Sequence, residues 1–318
     1  MISPLNISSN KYSFIDIRNN DYYLNDSGIN LIENIIPKEI LDNYIYKYKS
    51  DKYNLKNIVP LTQGLFDKKH TWINKSEYID ISEQSISINL DIEITNKAIK
   101  LFKNENFLNE KILSKDEIIK IQNSKSKTNV VLYGSSYEIM WNEILWIEEY
   151  FQSIKINQNN INFILLGGKR EINKNEKDIL KNFGSKNPKD EKDVIENLSK
   201  SDYFTNKNID IIYEHIENCD KKSRSTTVST LKYLKTKNII NKNEITLFVS
   251  MQPFASRQGL MSNLIFSKKD GYNSTCIAPG FNADKIPKKF QKIYENPKVQ
   301  LSVLLEELSR FFNVFIDK

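Results

Sequence analysis

Apolar positions along the chain follow two different rhythms. In the first third they recur at helical spacing. Ile40, Leu41, Tyr44, Ile45 and Tyr48 fall at i, i+1, i+4, i+5 and i+8 behind Pro37, a residue suited to a first helical turn. Ile94, Ala98, Leu101 and Phe102 predict a helix over 92–104, and a further one is expected over 111–121. Residues 1–28 are rich in Asn, Ser, Tyr and Asp without a sustained period and read as loop. Between 50 and 90 there are only short apolar pieces, Ile58-Val59-Pro60-Leu61 and Trp72-Ile73. Residues 1–89 are therefore read as a mostly helical extension without a catalytic motif.

The rhythm changes at Asn129. Val130-Val131-Leu132-Tyr133 is a short apolar run closed by Gly134-Ser135-Ser136. An amphipathic helix follows, with Met140, Ile144, Ile147 and Phe151 on one face. A second apolar run, 161–166, ends at Gly167-Gly168. Strand, helix and strand in this order make a βαβ unit, and nearly all-apolar strands are those of a parallel sheet covered on both faces. Helices are expected at 174–183 and 189–201, before a third strand at 209–213. A helix holding Val228, Leu231 and Leu234 precedes a fourth strand at 245–249. A helix over 255–267 and a short strand near Thr275 come next. Leu301, Leu304, Leu305, Leu308, Phe311 and Phe312 stripe the final helix. The expected fold class is α/β: three layers around a mostly parallel sheet over 90–318, ending in a helical part. The first, second and fourth strands are expected side by side.

Composition narrows the chemistry. The 318 residues hold two Cys and two His, His70 and His215. That excludes a disulfide scaffold and a zinc cluster of the usual spacing, so no metal is expected. Signatures for P-loops, dinucleotide folds and nucleophile-elbow hydrolases are absent. The net charge of +6 is spread along the chain, so no nucleic-acid partner is expected. No run of eighteen apolar residues exists to span a membrane. Trp141, Trp146 and Cys276 read as packing residues, and His215 as a solvated loop residue.

In open parallel sheets, ligands bind beyond the carboxyl ends of the strands. That rule selects Gly134 and Ser135, Gly167 and Gly168, Glu214 to Thr226, and the Ser250 to Pro253 loop. The glycines would let backbone approach a ligand or take positive φ. Ser135, Ser225 and Thr226 stand near helix N-termini, where free N–H groups attract anions and where such residues also serve as caps. Arg257, one turn into the next helix, would hold a phosphate or carboxylate. Gly134, Ser135, Gly167, Gly168, Thr226 and Arg257 are expected in one crevice.

Several of these pieces, in this order, resemble the YdcF-like proteins, a group that includes SanA and ElyC. They are NVVLYGSS, NFILLGG, the acidic helix start near Asp190-Glu191, IIYE ending at Glu214, SRSTTVST, LFVSMQPFASRQGLMSNLIF and APGF. The Gln-Pro, Arg-Gln and APGF pieces are most similar to the YdcF branch. The resemblance covers about 90–318. It implies a Rossmann-like fold and a nucleotide-like ligand, with S-adenosylmethionine the named candidate, but no firm reaction. The residues it carries over are Gly134, Ser135, Gly167, Gly168, Glu191, Glu214, Ser225, Thr226 and Arg257. Val228-Ser229 stands where the family has Glu-Asn, and Phe254 stands near the place of a SanA-branch His. No catalytic residue is assigned. The lack of a SanA-type anchor implies a cytoplasmic member. Two alternatives stand beside this reading. One is a hydrolase or transferase acting on a phosphorylated or cell-wall-related substrate, with Glu191 or Glu214 as base and Arg257 as anion clamp. The other is a degenerate, non-catalytic protein that meets a protein partner through 1–89.

Overall fold

The computed structural model of the chain describes residues 12–19, 21–45, 51, 53–66, 91–168, 171–172, 174–182, 187–213, 227–281 and 296–316. The chain divides into two compact units, one of residues 1–109 with 288–318, the other of residues 110–287.

The first unit opens with an antiparallel hairpin, β1 (Ile15–Arg18) and β2 (Asp21–Leu24). Over the described residues of 1–28 this corrects the expectation of a loop. Ile15-Asp16-Ile17-Arg18 alternates at the strand period, and Asn19 takes a left-handed conformation, φ 50°, that suits Asn in a tight turn. Helices α1 (Asp26–Ile35), α2 (Lys38–Ile45), α3 (Leu55–Phe66) and α4 (Ile92–Asn104) follow. α1 is capped by the Asn25 side chain, which accepts from Gly28 N at 2.9 Å. α3 carries Pro60 in its interior, which removes one helical donor and explains why its sequence reads ambiguously. The C-terminal helix, Pro297–Ile316, packs on α3 and α4 within this unit. Its leucine and phenylalanine stripe is buried, and its Ser309 accepts from Gln63 Nε2 at 3.0 Å. Phe107 and Phe311 meet edge to face at 5.4 Å.

The second unit is the α/β body. α5 (Lys115–Gln122) leads into β3 (Thr128–Leu132), α6 (Tyr137–Ser153) and β4 (Ile161–Gly167). Next come α7 (Lys174–Asn182), α8 (Glu191–Ser199) and β5 (Asn208–Tyr213). α9 (Thr227–Thr236), β6 (Ile245–Val249), α10 (Ala255–Ile265) and β7 (Asn273–Ile277) complete it. The C-terminal helix is α11. The five strands are all parallel, in the order β5-β4-β3-β6-β7. This is a Rossmann-like sheet, with the first strand of the body between the second and the fourth.

Alternating side chains of each strand enter two cores. Val130, Leu132, Phe163, Leu165, Leu247 and Val249 pack under α5 to α8. Val131, Ile164, Leu166 and Phe248 pack under α9 and the end of α10. Because both faces are covered, β3 and β6 are buried at every residue. The Met140, Ile144, Ile147 and Phe151 face of α6 is buried as its spacing predicts. Among the described residues no helix is long and apolar enough to cross a membrane.

Candidate functional site

The strand order reverses at the β3–β6 pair. From β3 the chain builds outward to β4 and β5, then returns to β6 on the other side. In open α/β sheets the loops leaving two such strands diverge, and ligands are received between them. At the carboxyl edge residues 133–136 leave β3, and Ser250, Met251, Gln252 and Pro253, all buried, leave β6, with the Gln252–Pro253 peptide cis.

Gly134, Gly167, Gly168 and Glu191 come together at this carboxyl edge. Glu191 is the first residue of α8, behind the Asp190 cap, and is buried. Its Oε2 accepts from Gly168 N at 2.8 Å. The same oxygen lies 2.9 Å from where a Cβ on Gly134 would stand, and the Leu166 carbonyl oxygen lies 2.8 Å from it. A Cβ on Gly167 would meet Ile195 Cδ1 at 3.0 Å and the Glu191 carbonyl oxygen at 3.3 Å. These glycines are required by close approach, not by dihedral angle. Among the described glycines only Gly271 has a positive φ. Over Gly134 the occupant is a protein carboxylate, held against the end of β4 by a charge-assisted bond.

Ser135 follows Gly134 in the same loop and is half-buried. Ser136 is the N-cap of α6, yet its side chain makes no capping bond. It is 8% exposed and its Oγ has no partner, so a buried hydroxyl is left with open hydrogen-bonding capacity at the start of a 17-residue helix. Sequence reasoning placed Ser136 in the loop but gave it no role, because a Ser before a helix ordinarily bonds its own first turn.

Arg257 lies in the first turn of α10, half-buried, with Nη1 3.8 Å from Met261 Sδ. It is within electrostatic reach of Tyr133, which precedes Gly134. Burial drives the Tyr133 phenol far above its usual range and Cys276 adds to this, while the Ser262 hydroxyl and the Arg257 cation oppose it. The Tyr133 hydroxyl donates to the Gln258 carbonyl at 3.2 Å. Glu214, Ser225, Thr226 and His215 lie outside the described residues.

Cys276 is a packing residue. Its Sγ would stand 3.2 Å from a Cβ on Gly259, and burial pushes its thiol up to about 12, so no thiolate nucleophile forms near neutral pH. Trp146 stacks on Tyr150 at 5.3 Å, and Trp141 lies against Tyr137 and Tyr203. Sequence reading missed Glu143, a 3%-exposed carboxyl on α6 whose Oε2 has no partner. Its signal was a charged residue three positions from Met140 and four from Ile147, on the apolar face.

No protein-family model matches the chain, and no curated protein matches it at a significant level. Among the described residues there is also no group of three His, Cys, Asp or Glu side chains that could hold a metal ion.

Proposed function

We propose that this chain binds a small nucleotide-like ligand at the carboxyl edge of its sheet, with S-adenosylmethionine the first candidate. The observation that carries the reading is the reversal of strand order at β3–β6, the place where open α/β sheets receive ligands. The donor set fits such a molecule. The Glu191 carboxylate is an acceptor for sugar hydroxyls, and the buried Ser136 hydroxyl has unused capacity at a helix N-terminus. Arg257, beside Tyr133 at the start of α10, is the cation for an anionic group. The order of these pieces along the chain resembles that of the YdcF-like proteins, and a cytoplasmic site of action belongs to the same reading. When bound, S-adenosylmethionine would supply an activated methyl group. The chain's own part is to bind and orient it, which demands positioning more than acid–base catalysis.

The test has two parts. Small molecules released from the natively purified protein are identified by mass spectrometry. S-adenosylmethionine, S-adenosylhomocysteine and ATP are then titrated by calorimetry. A guanidinium bond to an anion is worth about 1.5–3 kcal/mol, so Arg257→Ala should weaken binding roughly 10- to 200-fold with little change in Tm. Absence of saturable binding by all three ligands, or an unchanged affinity in the variant, would overturn the reading.

A further inference from the structure

At the opposite, amino edge of the sheet the same unit holds an open pocket of about 830 Å³. It lies where α5, the turn before β6 and the turn before β7 converge, and is lined by Lys120, Lys242 and Lys268, one from each segment. None of the three has a carboxylate within ion-pairing distance among the described residues. Lys235 nearby differs, because Asp270 at 3.2 Å and the Ile265 carbonyl at 2.6 Å hold it.

The carboxylate best placed to neutralise the pocket is already committed. Glu117 Oε1 accepts from Thr275 Oγ1 at 2.6 Å, and its Oε2 accepts from Ser114 N at 2.9 Å and Ser114 Oγ at 2.8 Å. Burial works against its charge, but these bonds and the Lys268 cation hold its carboxyl below the usual value. Asp116, also on the wall, is exposed and pairs with none of the lysines. The β7 side of the wall is fixed in shape. Gly271 takes φ 86°, its N–H bonds to the Lys268 carbonyl at 3.1 Å, and the Tyr272 ring lies 5.8 Å from Lys242 Nζ.

We propose that this pocket binds a small organic phosphate, with Lys120, Lys242 and Lys268 as its cations and the Asn123, Asn243 and Asn273 amides as neutral donors. The volume is enough to admit a small molecule. Lys120, Lys242 and Lys268 are all exposed around this pocket, and lysines answer phosphate as mobile point charges. Lys120 also stands in the last turn of α5, where a cation complements the helix end. A control of equal charge is therefore part of the test.

Pyrophosphate is the probe, titrated by calorimetry into the full chain at low salt. The expected result is one saturable site per chain, weakened at least about tenfold in Lys120→Gln/Lys268→Gln and intact in Lys100→Gln/Lys103→Gln. If the double variant melts early, Lys268→Gln alone is used, and the Gly271 and Asn273 amide signals are followed by NMR during the titration. No saturable binding, equal loss in the control, or amide signals that stay still would overturn the proposal. So would pyrophosphate binding that S-adenosylmethionine displaces and the lysine variants leave intact, since it would then belong to the carboxyl edge.

Discussion

Gly134 has protein on two sides. The Leu166 carbonyl and the Glu191 carboxylate both lie closer than 3.0 Å to the place of its missing Cβ, and the carbonyl is backbone that cannot turn away. Gly134→Ala must therefore push β4 and α8 off the β3 loop. A loss of about 1–3 kcal/mol in urea unfolding is expected, typical of overpacking. Gly167→Ala should cost less, because its nearest neighbour is the flexible tip of Ile195. Equal losses would show that the Glu191 contact does not set the spacing. Glu143 supports a second prediction, with a definite sign. Burial raises its carboxyl well above the usual value, so the folded chain keeps a proton that the unfolded chain releases near 4.5. Folding therefore takes up a proton, and stability falls as pH rises from the unfolded value toward the raised one. Glu143→Gln removes that dependence. Its stability relative to the parent should rise between pH 5 and pH 8, with a slope of at most about 1.4 kcal/mol per pH unit. Parallel curves from urea melts of the two proteins would contradict it.

At the scale of elements, what the sequence reveals depends on how much of an element's environment is repeated along it. β3, β4 and β6 are legible because helices cover both faces, so their runs are almost wholly apolar and end in small residues. α6 is legible because its buried face recurs every turn. The β1–β2 hairpin is harder to see. Only one face of each short strand is apolar, and its Asn19 turn is lost among the many Asn and Tyr residues of that region. The stripe on α11 predicts a buried helix but not the surface it covers, since leucines fit α3 as well as they would fit a sheet. The candidate site divides in the same way. Gly134, Gly167 and Gly168 mark strand ends and are visible as such. That the Glu191 carboxylate fills the space over Gly134 depends on where α8 lies, which no local pattern states. Ser136 is hidden because its significance is a bond it does not make.

At the scale of the molecule, the first unit is built from both ends of the chain. α11 contributes Leu301, Leu304, Leu305, Leu308, Phe311, Phe312, Val314 and Phe315, none more than 8% exposed. Phe315 also packs against Tyr12 and Tyr22, and Gln63 of α3 bonds to Ser309. At roughly 1.5–3 kcal/mol for each fully buried side chain, this helix accounts for about 12–24 kcal/mol of burial as an upper bound. That burial is large beside the net stability of a whole domain, about 5–15 kcal/mol, so the hairpin and α1 to α4 are expected to lose their fold without it. The second unit has its own sheet, and the described residues of its two cores all lie between Leu113 and Ile277. Removing residues 288–318 should therefore abolish hydrogen-exchange protection in Leu55–Phe66 and Ile92–Asn104 while leaving it in Thr128–Leu132 and Ile245–Val249. Protection retained in α3 and α4 of the truncated chain would mean that the first unit holds together without its C-terminal helix. Loss in β3 and β6 as well would mean that the two units fold as one.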